Sequence, residues 1–382
     1  VLLLPVLLLT LQGASAPQTI DSTDAWNKLS KAIQDTYYAR KAREQEMDNR
    51  LKEYAPLAEA THTKAEFRDV AEKMIAEFKD SHFDFYSDED QGYYLMDGFG
   101  KSPASMPEIG AWFKRTGDVY TVQMVLEGMP AADSDIRKGD VVTEADGKPF
   151  QPVLSLQQDL GKSADLTILR AGQSLHKQVK VASEPAIDMF LDATMNSARV
   201  INDGKKKIGY VHLWAQISDK FSSALSRMVY GTFKDTDAMI LDLRDGFGGR
   251  PENYSDPFFR PGIHLDWKFS GGETPQLFGY DRPLVVLING GSRSAKEVLA
   301  YIFKKSRRAV LMGSNTAGNV LGTTPRRLTP WAYVEIPIAE VYADGIRLEG
   351  RGVAPDIALP QEIDSTGKDL YLAAALNYLK GK

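Results

Sequence analysis

A chain of 382 residues, 43% hydrophobic and 25% charged, has material for two or three domains with sizeable cores. A net charge of −5 argues against nucleic acid as the main partner. The absence of cysteine excludes disulfides, thiol nucleophiles and thiolate metal sites, and any histidine chemistry must draw on His62, His82, His176, His212 or His264.

Val1–Leu11 is almost wholly apolar and is followed by Gln12-Gly13-Ala14-Ser15-Ala16. A short apolar core ending in an Ala-x-Ala pattern predicts a secretory signal peptide rather than a membrane span. The missing basic segment and initiator Met point to truncation at the N-terminus. The expectation is an exported protein, periplasmic or extracellular, with no stable membrane anchor once residues 1–16 are removed.

From Asp21 to Lys79 the period is helical. Trp26, Leu29, Ile33 and Tyr37 share one face, Pro56 is expected to break a second helix, and Thr63-Lys64-Ala65-Glu66 is a capping box ahead of a third. His82 alternates with Phe83 and Phe85, which predicts an extended segment at an abrupt helix-to-strand boundary. Residues 91–114 carry no readable period.

The pattern then turns to β. Val119–Leu126 alternates, Glu127–Ala132 leads into a short helix, and Ala145-Asp146-Gly147-Lys148 signals a hairpin. Leu166–Leu169 and His176–Val181 read as further strands, which leaves His176 solvated. Glu184–Asn202 is expected to connect this region to the next.

From Ile208 strands alternate with helices, which implies right-handed crossovers and a mostly parallel sheet. Ile208–Leu213 contains His212, and Ser218 is placed to cap the helix after it. Ala238–Leu243 is continuously apolar and closes on Arg244-Asp245-Gly246-Phe247-Gly248-Gly249. Leu284–Ile288 is a second such run, closing on Gly290-Gly291. Ser294 opens Ser-Ala-Lys-Glu, a capping box, with Val298, Leu299, Ile302 and Phe303 at helical spacing behind it. A serine at a helix start sits beside free backbone N–H groups and the positive end of the helix dipole, a setting that suits attack on a carbonyl. Taken alone, Ser294 is more simply a cap. Ligands to such sheets gather at the carboxyl ends of the strands, where the Gly248 loop and Ser294 can meet. Neither glycine-rich nucleotide-binding pattern nor an HExxH motif is present, and the histidines are too scattered for a metal site, so no cofactor and no metal are expected.

Asp242–Gly249 resembles the Asp-Leu-Arg-Gly-Asn-Gly-Gly-Gly loop of the tail-specific, or C-terminal processing, serine peptidases. Gly290–Glu297 resembles their nucleophile turn with Ser294 at the reactive position, and Glu127–Phe150 resembles their PDZ domain. The resemblance covers nearly the whole mature chain and implies a multidomain α+β and α/β protein. Its expected parts are a signal peptide (1–16), an N-terminal helical cap carrying His82 (17–90), a PDZ-like β domain (91–183), a connecting segment (184–204) and a catalytic domain of the ClpP/crotonase type (205–382).

Within that family the Ser–Lys branch keeps a lysine where this chain has Asn319, and an amide cannot accept a proton. Lys296, Lys304 and Lys305 are expected on a solvated helix face. The chain is more similar to the branch of the tricorn core peptidase, which uses Ser, His and Glu. Asp80-Ser81-His82 matches its histidine segment, and Leu348-Glu349-Gly350-Arg351-Gly352-Val353-Ala354-Pro355-Asp356 matches its glutamate segment. The resemblance therefore implies Ser294 as nucleophile, His82 as base, Glu349 as orienter, and the Gly248 and Ala295 amides as the oxyanion hole. Phe247, where the family has Gly, is expected to narrow the approach to that loop. Activity is expected to rise through a pKa in the ordinary histidine range. The implied substrate is a peptide or protein, with the PDZ-like domain engaging peptide by strand addition. The alternative is a catalytically inactive protein on the same scaffold that binds peptide or an apolar ligand.

Overall fold

The structure, a computed structural model, describes residues 19–204, 206–259 and 279–382. The expected signal peptide and His264 lie outside the described residues. No helix among the described residues is long and apolar enough to cross a membrane.

Three helices, Ser22–Thr36, Glu44–Glu59 and Lys64–Ala76, begin the described chain. The third starts on the Thr63/Glu66 capping box read from the sequence. Pro56 does not end the second helix, contrary to the sequence expectation, but lies inside it. It faces solvent, where water can satisfy the carbonyl that loses its partner, while Tyr54 and Ala58 stay packed. The buried faces of all three helices close one core with Phe83, Phe85, Val334 and Ile336. Phe85, Val334 and Ile336 come from a three-stranded antiparallel sheet in the order Asp84–Ser87, Ala332–Ala339, Gly322–Thr329. The register pairs Asp84 with Glu335 and Phe85 with Val334. The helical cap is thus stitched to the far end of the chain.

His82 precedes this sheet. It is not extended, as its alternation with Phe83 and Phe85 suggests, but sits in a turn with φ 55°, and the strand begins only at Asp84. The left-handed turn lets the chain reverse from the third helix into the sheet.

The unread stretch 91–114 forms a helix, Gln91–Asp97, and the strands Ser105–Glu108 and Ala111–Thr116. The second of these opens an antiparallel sheet with Val119–Val125, Val141–Ala145, Ser163–Arg170 and Gln173–Lys180. The Asp146-Gly147 hairpin has positive φ at both residues, the two-residue turn that matches strand twist. His176 is exposed on the last strand. Residues 184–204 do more than connect. They hold a helix, Ala186–Ser197, and the strand Arg199–Asp203.

That strand edges a six-stranded sheet, antiparallel to Lys206–His212. Ala238–Asp242, Leu284–Ile288, Val310–Gly313 and Ile357–Ala358 follow in parallel. Strand alternation divides its side chains between two cores. Met239, Leu241, Val286 and Ile288 pack with Leu299 and Phe303 of the helix Ala295–Lys305. Ile240, Val285 and Leu287 pack with Tyr371, Ala375 and Leu379 of the C-terminal helix Leu370–Lys380. Burial on both faces is why these strands read as unbroken apolar runs. Ser218 does occupy the start of the helix Asp219–Arg227, but its hydroxyl makes no capping bond.

Candidate active site

The strand Leu284–Ile288 delivers the chain to a turn at Asn289–Arg293. Ser292 is fully buried there, with its hydroxyl donating to Leu243 O at 2.8 Å and accepting the Asn289 amide at 3.0 Å. Its oxygen is spent on holding the turn. Ser294 differs. It stands at the helix start with φ 59° and ψ −130°, a conformation that costs a non-glycine residue about 1–3 kcal/mol and persists only where its surroundings over-determine it. Its amide donates to Asn319 O at 2.8 Å and also faces Glu297 Oε2 at 3.2 Å.

Glu297 is fully buried and gathers this corner. It accepts from Thr316 Oγ1 (2.5 Å), the Gly318 amide (2.7 Å) and the Asn319 amide (2.9 Å). Burial lifts its carboxyl above the usual carboxylate range, while these bonds pull it back. The segment Thr316–Asn319 therefore supports the Ser294 backbone through main-chain atoms of Gly318 and Asn319 and the Thr316 hydroxyl.

Gly248 lies against Ser294. A Cβ at that position would fall 2.4 Å from Ser294 Cβ, 2.7 Å from the Ala295 nitrogen and 2.8 Å from Ser294 Oγ, so only glycine permits the approach. The neighbouring Phe247 amide is bonded to Trp214 O at 2.9 Å, and strand alternation turns the Gly248 amide to the other edge. Phe247 lines the cleft beside Ser294. Its ring packs edge-on against Trp112 and Phe190, at 5.0 and 5.2 Å, and Arg293 lies over it at 4.5 Å.

His82, Gly248, Ser294 and Ala295 all line one cleft of about 380 Å³. Leu95, Met96, Ile217, Val298, Leu321 and Val341 give it apolar walls. Glu349 does not reach His82 directly, as the sequence reading supposes. His82 Nδ1 lies 3.1 Å from Ser81 Oγ, and the Ser81 hydroxyl donates to Glu349 Oε2 at 3.0 Å. The Val320 amide holds the same carboxylate oxygen at 2.5 Å. Because the Ser81 proton is directed at Glu349, Ser81 Oγ accepts from Nδ1–H, and Nε2 carries the free lone pair. Ser81 is the functional residue that sequence reasoning missed. Its only signal was its place before His82 in the matched segment.

Burial, with the Arg293 charge second, brings the His82 imidazole down to about 3. Across the sheet, burial and then Asp84 lift Glu335 to about 7. Of these groups, only the Arg293 guanidinium acts on His82, and its positive charge disfavours the imidazolium.

Lys296 corrects a further expectation. It is not on a solvated face but fully buried, because the loop Arg244–Gly249 folds over the first turn of its helix. Lys304 is half-exposed and Lys305 exposed, as expected. His212 is buried as well, stacked on Trp214 and bridging Glu127 to the Arg244 carbonyl.

A small antiparallel β domain, a mostly parallel α/β sheet, and a strained serine at a helix start in a cleft shared with a histidine define a serine-hydrolase-like site. Residues 207–359 match Peptidase family S41 and residues 107–181 match the PDZ domain. The Peptidase family S41 match spans the mostly parallel sheet, and the PDZ match spans the small antiparallel sheet before it. It is 25% identical over 341 residues to tricorn protease homolog 2 of Streptomyces coelicolor, covering 80% of this chain and 28% of that protein. It is also 25% identical over 280 residues to the carboxy-terminal-processing protease of Bartonella bacilliformis, covering 67% and 62%. The chain thus spans less than two thirds of the length of these relatives. Among solved structures, the photosystem II D1 C-terminal processing protease shares the fold with TM-score 0.56 at 20% identity, over 91% of this chain and 96% of that one. The tricorn protease does so with TM-score 0.55 at 18% identity, over 94% and 36%.

Proposed function

We propose that this protein is an exported serine endopeptidase that cleaves peptide bonds through an acyl-enzyme on Ser294. The observation that carries the reading is the convergence of His82, Ser294, Gly248 and Ala295 on one cleft. Ser294 Oγ attacks the scissile carbonyl carbon while His82 Nε2 takes its proton. The carbonyl oxygen becomes an oxyanion facing the Gly248 and Ala295 amides. The C–N bond then breaks as His82 returns the proton to the leaving amine. A water, deprotonated by His82, hydrolyses the ester. Glu349, acting through Ser81, keeps the proton on Nδ1 and stabilises the imidazolium. The PDZ domain takes an extended peptide or free C-terminus by strand addition. Export rests on the Val1–Leu11 run and the Ala14-Ser15-Ala16 pattern.

A fluorophosphonate probe is expected to modify Ser294, located by peptide mass spectrometry, in chain that also cuts a mixed peptide library. Folded protein that takes no label at Ser294 rules the reading out.

The pH profile follows from His82. The neutral imidazole is the working base, so activity is lost as pH falls through the folded pKa. Burial depresses that pKa to about 3, and the acid limb of kcat/KM is displaced well below the ordinary histidine range. The sequence reading instead expects that limb in the ordinary histidine range. kcat/KM on one peptide is expected to stay level from pH 7.5 through about 6, below the unperturbed value of about 6.5. A half-fall centred near 6.5 would show that His82 is solvated in the working site.

A further inference from the structure

Lys296 is a buried amine that the reaction as drawn does not use. It lies in the first turn of the helix behind Ser294, where the helix dipole disfavours positive charge. Its side chain is 0% exposed, and the carboxylates that act on it, Asp242, Asp245 and Glu127, do so through space without a direct ion pair. Burial disfavours the ammonium and brings its pKa down to about 7, against the pull of the Asp242 and Asp245 charges. Local rules broken at such cost are expected where function demands it.

The contacts that offset the cost are to the main chain. Lys296 Nζ donates to Asp245 O at 2.7 Å and lies 3.5 Å from Arg244 O. The Arg244 carbonyl is separately bound by His212 Nε2 at 2.8 Å. Two successive carbonyls of the loop are therefore anchored on its inner side. The loop needs such anchoring, since Asp245 and Gly246 both have positive φ, 48° and 70°. A Cβ on Gly246 would meet Trp214 O at 1.9 Å and Lys296 Nζ at 2.8 Å, so this peptide is gripped from both sides. The next residues run straight to Gly248, whose approach to Ser294 leaves no slack.

We propose that Lys296 is a positioning residue for peptide hydrolysis: by holding the Asp245 carbonyl inward, it fixes the strand Phe247–Gly249 so that the Gly248 N–H meets the oxyanion. The inference rests on the reading of Ser294 as nucleophile and Gly248 as oxyanion donor. Lys296 touches no substrate atom. Its effect falls on the transition state, where the oxyanion forms, and spares ground-state binding.

Lys296→Met keeps the volume and removes the donor. It is expected to lower kcat by about 10²–10³, the cost of losing one oxyanion donor, with KM changed less than about threefold. A peptide aldehyde, whose hemiacetal oxygen occupies the oxyanion site, should lose affinity by the same factor as kcat, while the cleaved product peptide binds as before. Lys296→Gln, with a shorter N–H donor, should fall between Met and wild type. A merely structural lysine would lower the folded fraction and leave kcat per labelled Ser294 unchanged.

kcat within threefold of wild type in both variants, or equal losses of aldehyde and product affinity, overturns the inference. Failure of both variants to fold overturns it too, because a clamp on one loop is not required for the core. A wild-type chain that neither labels at Ser294 nor cuts peptide defeats the functional reading and the inference with it. An active wild type with equally active variants defeats only the inference.

Discussion

Ser294→Ala and His82→Ala are each expected to cost about 10⁴–10⁶ in kcat, and the double variant to be scarcely worse than either alone. Nucleophile and base act as one unit, since an unassisted serine hydroxyl is a weak nucleophile and an imidazole without it has nothing to activate. Binding and the oxyanion donors survive both changes, so residual hydrolysis above the uncatalysed rate should remain. Glu349→Gln should lose less. Its link to His82 runs through Ser81 and leaves the imidazole in the cleft. kcat and KM for the four proteins on one peptide decide the matter. If His82→Ala keeps most of the activity that Ser294→Ala abolishes, the base lies elsewhere. If the double variant is worse by the product of the single losses, the two residues do not share a step.

Gly248→Ala is expected to lower kcat by about 10³, the upper range for removing an oxyanion donor, while the chain still folds. The new methyl carbon would lie 2.4 Å from Ser294 Cβ and 2.7 Å from the Ala295 nitrogen, and neither can move freely. Ser294 is held by Asn319 O, and the Ala295 amide belongs to a helix packed on the sheet. The strand Phe247–Gly249 must therefore retreat and take its amide from the site. Gly290→Ala is the matched control. A Cβ there meets nothing within 4 Å, so activity should stay within about twofold. Thermal unfolding of both variants separates a local displacement from loss of fold. A Gly248→Ala enzyme within tenfold of wild type would remove Gly248 from the oxyanion hole.

Much of this molecule is written in local sequence. The runs Ala238–Leu243 and Leu284–Ile288 are apolar on both faces because helices cover both faces, and that pattern alone implies a parallel sheet. The capping boxes at Thr63 and Ser294 and the Asp146-Gly147 hairpin are short-range chemistry, readable because a few adjacent residues decide them. Ser294 and Gly248 could be placed near each other because both follow the carboxyl ends of strands in one sheet.

His82 and Glu349 were different. Composition and periodicity marked neither, and only their likeness to family segments singled them out. The place of His82 in the Ser294 cleft depends on the strand Asp84–Ser87, just after it, pairing with Ala332–Ala339 from the far end of the chain. No local period encodes a partner so distant, because alternation states which face is buried and not what lies across it. The same holds for Ser81, whose hydroxyl joins His82 to Glu349 only once those distant strands have paired. Lys296 was misread for a related reason. A lysine in a helix first turn looks solvated until a loop from another crossover folds over it, and carbonyls from that loop take the place of water. Sequence by itself determined most of the elements and the serine at the helix start. Tertiary structure decided what surrounds that serine, because desolvation and long-range strand pairing exist only after the chain has closed on itself.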